Sequence, residues 1–182
     1  MQRPNAPCNS AAGGAVRLRD LTADDLPRLH AWYQQRELWD HLVGDFVPRA
    51  EAEAVAYMRR WLAPSATELR LGIEAGGRLV GLAFFSPLDL AAGRAELHIM
   101  IGEPAQRGRG VGRAAVDQLV ARGVALGLMR IELRVLETNA AARAVYERCG
   151  FRLVGPDGSA RKGGRDVPVL LMRADQPRSA TT

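Results

Sequence analysis

The chain has 182 residues, 47% of them hydrophobic, and a formal net charge of +5, a size that allows one well-buried domain and is short for two. Its basic residues, all arginine except Lys162, are scattered among acidic ones and never form a run with interleaved aromatics, so a nucleic-acid partner is not expected and an anionic ligand is the simpler use of the charge. Cys8 and Cys149 lack disulfide or metal-ligand spacing, His30, His41 and His98 lie far apart, and no apolar run approaches the ~20 residues of a membrane helix, so the expectation is a reduced, cytoplasmic protein without metal or membrane anchor.

Residues 1–14 lack the apolar core of a signal peptide and read as a mobile tail, as do residues 175–182, leaving one domain over 15–174. Val16 to Arg19 alternates as a first strand. Thr22, with Asp25 three residues later, has the form of a helix N-cap, and Leu26, Leu29, His30 and Tyr33 continue one face. Leu38 to Val47 is aromatic and locally acidic. A second helix is expected from about Arg49 to Leu62, carrying Ala54, Val55, Met58 and Leu62 and stopping before Pro64. Leu69 to Glu74 and Arg78 to Phe85 are strands joined by Gly76-Gly77, a hairpin signal, and a third strand follows at Arg94 to Ile101.

From there the pattern changes to helix at 110–126, strand at Arg130 to Val135 and helix at 139–148, closed by Gly150. Strand, helix and strand in that order imply a parallel pair with a right-handed crossover. Phe151 to Gly155 and Val167 to Met172 read as two closing strands around a polar turn. The implied class is α/β (α+β), a mixed and mostly antiparallel sheet with helices on both faces.

The segment between the third strand and the following helix carries the most chemistry. Gln106-Arg-Gly-Arg-Gly-Val-Gly-Arg113 places three glycines and three arginines where an apolar helix begins. Glycine lets the main chain approach a ligand, and the first helical turn offers unpaired N–H groups at the positive end of the dipole. A P-loop is excluded, because it needs lysine before Ser or Thr and Lys162 is followed by glycine. The dinucleotide fingerprint fails as well, since Gly108 and Gly110 are followed at the third position by Arg113.

What remains, Arg107-x-x-Gly110-x-Gly112, resembles the pyrophosphate loop of the GNAT superfamily of acetyl-CoA-dependent N-acetyltransferases. A second motif agrees: Asn139-Ala-Ala-Ala-Arg143-Ala-Val-Tyr146-Glu-Arg-Cys-Gly150-Phe151 is similar to the Asn, Ala, Tyr, Gly, Phe succession of these enzymes. The two motifs cover about Arg94 to Leu153. Ala95-Glu96-Leu97 and Gly163-Gly164-Arg165-Asp166 look most like the ribosomal-protein and spermidine acetyltransferase branch, which often has aromatic residues where this chain has His98, Ile99 and Met100.

The resemblance implies the GNAT fold, with about six to seven strands and about four helices, and acetyl-CoA as co-substrate. It implies transfer of acetyl to a primary amine by direct attack, with Cys149 not needed as a nucleophile. Such transfer needs a neutral amine, a stabilised oxyanion and a proton for the thiolate. Glu96 is the candidate base, or else a structural residue of its strand. Tyr146 is the candidate acid, its phenol being protonated at neutral pH, or else an aromatic of the core. The resemblance puts the oxyanion on a main-chain N–H near Met100 or Ile101, and the cofactor on Arg107, Gly108, Arg109, Gly110, Val111, Gly112 and Arg113, with Asn139 and Arg143 beside its arm. Asn139 also reads as a helix cap, which would suffice alone. Trp32, Trp39, Asp40, Asp45 and Phe46 would wall the acceptor, unless the tryptophans pack and the aspartates cap turns. The acceptor is a small polyamine or amino-sugar, or alternatively the N-terminus of a protein such as a ribosomal protein. A non-catalytic acetyl-CoA sensor is the rival from another class. Homodimers are common in this superfamily.

Overall fold

Alternating strands and one continuous apolar run, Leu79 to Phe85, build a seven-stranded sheet of order β1-β2-β3-β4-β5-β7-β6. The strands are β1 (Arg17–Arg19), β2 (Leu69–Ala75), β3 (Arg78–Asp89), β4 (Arg94–Ile101), β5 (Arg130–Leu136), β6 (Arg152–Lys162) and β7 (Arg165–Asp175). The helices are α1 (Leu26–Tyr33), α2 (Arg36–Trp39), α3 (Glu51–Arg59), α4 (Val111–Ala125) and α5 (Ala140–Arg148). This computed structural model describes residues 15–45, 47, 49 and 51–176. The N-terminal tail and most of the C-terminal one therefore lie outside the described residues.

Every pairing is antiparallel except β4 with β5. That parallel pair is short: Arg94, Ala95 and Glu96 stand opposite Arg130, Ile131 and Glu132. Beyond Glu96, β4 stays with β3 as far as Ile101, while β5 stays with β7 as far as Leu136. The two halves of the sheet therefore part at Glu96 and leave a gap between them.

The faces are divided by the two-residue period. Ala95, Leu97, Ile131, Leu133 and Val135 turn to one side and pack with Val111, Ala115, Val116 and Leu119 of α4. Met100 turns to the other side, among Leu29 and Trp32 of α1 and Met58 of α3. Glu96, His98, Glu132 and Arg134 share that second side by the same alternation.

The hairpin between β2 and β3 turns at Gly76 and Gly77, whose φ of 58° and 75° belong to the mirror-image turn favoured by strand twist. Several expected bounds shift. Chain that reads as a connection forms the one-turn α2, and α3 is shorter than the 49–62 pattern, ending before Trp61. The closing strands run further than Phe151 to Gly155 and Val167 to Met172, and turn at Gly163-Gly164. β6 is the sheet's edge, where register shifts after Leu153 and Pro156 absorb a proline and glycines that would break a central strand. β7 reaches Asp175, and Gln176 N donates to Met129 O at 2.8 Å, so the chain is ordered past the expected start of the C-terminal tail. No described helix is long and apolar enough to cross a membrane.

Candidate active site

The glycine-rich loop delivers α4 with its first turn open. Gly110 caps the helix at φ 80° without a side-chain cap, and Gly108 also has positive φ at 71°. Ala114 N is the first helical donor, bonding Gly110 O at 3.0 Å, so the N–H groups of Val111, Gly112 and Arg113 have no helical partner. A Cβ at Gly108 or Gly110 would meet nothing, and one at Gly112 would make only ordinary contact with Ile101 at 3.9 Å. Glycine at 108 and 110 answers to backbone conformation, and the space over the loop is clear for a ligand. This cradle fits a pyrophosphate.

The three arginines divide their tasks. Arg107 turns back, its Nε donating to Ile101 O at 3.0 Å, and clamps the loop to the end of β4. Arg113 lies 3.8 Å from Asp117 one turn along α4. Arg109 forms no hydrogen bond or ion pair among the described residues, so it is the uncommitted cation of the loop.

Main-chain geometry separates Met100 from Ile101. Because Ile101 O accepts from Arg107, that carbonyl points away from β3, and the N–H of the same residue shares its edge. Ile101 therefore directs its N–H toward the gap left by β5. By the same alternation Met100 directs its N–H toward its partner Leu82, and its side chain is buried against α1 and α3.

At the parting of the strands, Glu96 is ion-paired through Oε2 with Arg134 Nη1, and Arg134 Nε reaches Asp157 Oδ2 at 2.5 Å. The hydrogen bonds that Arg134 donates to these two carboxylates, Glu96 first, push its pKa further up. The other Glu96 oxygen lies 3.6 Å from His98 Nε2. His98 stacks on Phe84 at a centroid distance of 4.7 Å, and its Nε2 lies 2.7 Å from Ser86 O.

Tyr146 sits on α5 with its ring in the main core, edge-on to Phe151 at 6.0 Å, and only 8% of the residue is exposed. Burial pushes its phenol well above the usual range, so it holds its proton through neutral pH. Its hydroxyl makes no hydrogen bond among the described residues and yet is not fully enclosed. Nearby Cys149 has its thiol pushed up to about 12 by burial and by Asp117, which leaves it a poor source of thiolate.

Asn139 does cap α5, its Oδ1 accepting from Ala142 N at 3.1 Å. Its Nδ2 is also engaged, donating to His41 O at 3.1 Å. Arg143 folds back to donate to Glu137 O at 3.3 Å. Among the expected acceptor residues, Trp32 is enclosed, with its Nε1 on Glu103 at 3.1 Å, and Trp39 donates to Tyr33 O at 3.2 Å. Both pack. Asp40 is exposed, Asp45 faces Lys162 at 3.4 Å, and Phe46 lies outside the described residues.

Lys162 has a role that composition did not suggest. Its side chain is 11% exposed, and Nζ donates to Gly44 O at 2.5 Å and Trp39 O at 3.2 Å. With Asn139 it pins the segment after α2 over the far end of β5, where Val43 packs on Leu136, Ala160 and Val169. The available signal was a lone lysine at the foot of a Gly-Gly turn.

The chain matches the acetyltransferase (GNAT) domain family over residues 15–152. It belongs to the GNAT family. Its GNAT domain is 36% identical to a mycothiol acetyltransferase of Beutenbergia cavernae over 91 residues, half of this chain and 30% of that protein. It is 39% identical to the N-alpha-acetyltransferase RimI of Mycobacterium tuberculosis over 88 residues, 47% of this chain and 52% of that one. The chain thus spans a third to a half of the length of these relatives. The fold agrees with that of a spermidine N-acetyltransferase from Vibrio cholerae in complex with CoA and spermine, with a TM-score of 0.80 at 24% identity over 88% of this chain and 95% of that one. No group of His, Cys, Asp and Glu that could hold a metal ion occurs among the described residues.

Proposed function

We propose that this GNAT domain is a cytoplasmic acetyl-CoA-dependent N-acetyltransferase that acetylates a primary amine of a small molecule, of polyamine or amino-sugar type, by direct attack. The observation that carries this reading is the conjunction of an open helix N-terminus on a glycine loop with a gap in the sheet into which Ile101 turns its N–H. The α4 amides and Arg109 would hold the pyrophosphate. The bound co-substrate supplies the acetyl thioester. Ile101 N–H then meets the oxygen that gains charge, and Tyr146 gives a proton to the departing sulfur. Glu96 and Arg134 form the charged rim on which a cationic amine is received. Asn139 and Arg143 support the loop beside the cofactor's arm.

The likeness to RimI supports a second reading, in which the acceptor is a protein N-terminus. The two separate in one experiment: release of CoA thiol from acetyl-CoA with polyamines, amino-sugars, amino acids and short peptides, Tyr146→Phe run alongside. A Tyr146-dependent small-amine hit upholds the first reading, and a peptide-only hit replaces it with the second. Binding of acetyl-CoA with no transfer to any of them favours a cofactor-sensing module.

A further inference from the structure

We infer that His98, not Glu96, takes the proton from the acceptor amine, and that Glu96 balances the charge so formed. The inference rests on the acetyl-transfer reading above. The Ser86 carbonyl oxygen carries lone pairs and no proton, and it lies 2.7 Å from His98 Nε2, so Nε2 is the donor of that bond. In the neutral ring this bond fixes the tautomer: Nε2 bears the hydrogen and Nδ1 keeps its lone pair.

The ring is held in place. Phe84 stacks on it with an interplanar angle of 11°, and Trp61 braces Phe84 edge-on at 5.1 Å. Ser86 is anchored by its own hydroxyl, which donates to Glu68 at 2.7 Å, and Glu68 is ion-paired with Arg70. Glu96 Oε1 is 3.6 Å from Nε2, so protonation of Nδ1 makes an imidazolium that already has a carboxylate beside it. An orienting acceptor on one nitrogen and a free lone pair on the other is the arrangement that general-base histidines use.

Glu96 is less available. Its Oε2 is committed to Arg134, which Asp157 also holds, and its side chain is 16% exposed against 37% for His98. Placing a proton on Glu96 would cost that ion pair. Position favours His98 as well. It is the first residue of its face beyond the point where β5 leaves β4. A strand rise of about 3.4 Å per residue sets it about 10 Å from Ile101. An amine attacking a carbonyl held at Ile101 N–H would pass its proton to the imidazole across that span through bridging water.

The proton count closes. One of the three protons of the ammonium acceptor goes to Nδ1 and then to water, which frees the lone pair that forms the new C–N bond. A second, shed as the C–S bond breaks, replaces the proton that Tyr146 gives to sulfur.

Two measurements on the full chain test this. Long-range proton–nitrogen spectra of the His98 side chain, recorded without substrate, should show Nδ1 bare and Nε2 protonated; the opposite tautomer overturns the inference. The amine panel is then run with wild type, His98→Ala, His98→Ala plus free imidazole, and Glu96→Gln, reading the acetylated amine by mass. We expect kcat to fall about 10²-fold or more in His98→Ala with acetyl-CoA affinity kept, imidazole to restore part of it, and Glu96→Gln to lose less. Wild-type turnover in His98→Ala, or a loss that imidazole does not restore in a variant that still binds acetyl-CoA, removes His98 as the base and leaves acetyl transfer standing. A wild-type chain that binds acetyl-CoA and acetylates no amine or peptide overturns the transfer reading and the base together.

Discussion

Asn139 donates from Nδ2 to the main-chain carbonyl of His41 at 3.1 Å, a bond that ties the N-terminus of α5 to a segment 98 residues earlier. The same side chain caps α5 through Oδ1, so one residue fixes both the helix and the strap lying over it. Asn139→Ala should therefore cost about 1–2 kcal/mol, the upper end of a lost cap, in a denaturant titration. Lys162→Met removes the other anchor of the strap, and amide exchange should speed up in residues 39–45 while the amides of α4 stay protected. Unchanged exchange in both variants would mean that Val43 alone holds the segment.

Tyr146→Phe keeps the ring that packs against Phe151 and removes only the hydroxyl. Turnover should drop about 10²-fold or more, with melting temperature and acetyl-CoA affinity little altered. Equal turnover in the variant would take the tyrosine out of the chemistry and leave it a core aromatic.

Gly110→Ala puts a side chain at φ 80°, which costs about 1–2 kcal/mol, although nothing clashes with the new Cβ. Since that conformation aims the first amides of α4, acetyl-CoA binding measured by calorimetry should weaken about tenfold. An unchanged Kd would sink the assignment of the loop as the pyrophosphate cradle.

Gly102→Ala probes packing instead of chemistry. Its Cβ would fall 2.1 Å from Trp32 Cδ2, and that ring is enclosed and cannot swing aside. We expect a loss of about 3 kcal/mol or more in equilibrium unfolding, at the top of the overpacking range. A near-neutral result would show that α1 moves freely against the end of β4.

Acid should loosen the attachment of α1. Arg19 donates to both Asp25 oxygens, at 2.7 and 2.8 Å, and holds that carboxyl below its ordinary value, while Arg17 and Arg19 lower Glu74 in the same direction. A carboxyl depressed in the folded state contributes stability above its unfolded pKa, near 3.9 for Asp, and loses it as pH falls toward the depressed value. The melting temperature should therefore decline below about pH 4. Asp25→Asn should be less stable at neutral pH by about 1–2 kcal/mol and show a shallower acid decline. A slope equal to that of the wild type would assign the acid effect to other carboxylates.

The strands, the principal helices and the glycine-rich loop are legible in the sequence because each is a local property. Period-two alternation marks β2 and β5, a continuous apolar run marks β3, the 3.6-residue period marks α4, and glycines that need positive φ mark the loop and the hairpin turn. The places of Tyr146 on α5 and of Asn139 at its cap are legible for the same reason, since both belong to one short helix and its start. The extents of β6 and β7 are not, because edge-strand bulges tolerate a proline and glycines that read locally as a turn.

What only the tertiary structure decided are the partners. Nothing near Glu96 in the chain announces Arg134, nothing near His98 points to the Ser86 carbonyl, and nothing near Lys162 names Gly44. The choice of Ile101 over Met100 as the residue facing the gap likewise depends on where β5 stops pairing with β4. Element type follows from side-chain period within a dozen residues, whereas the commitment or freedom of a charged or proton-bearing group depends on contacts that the sheet order creates between segments tens of residues apart.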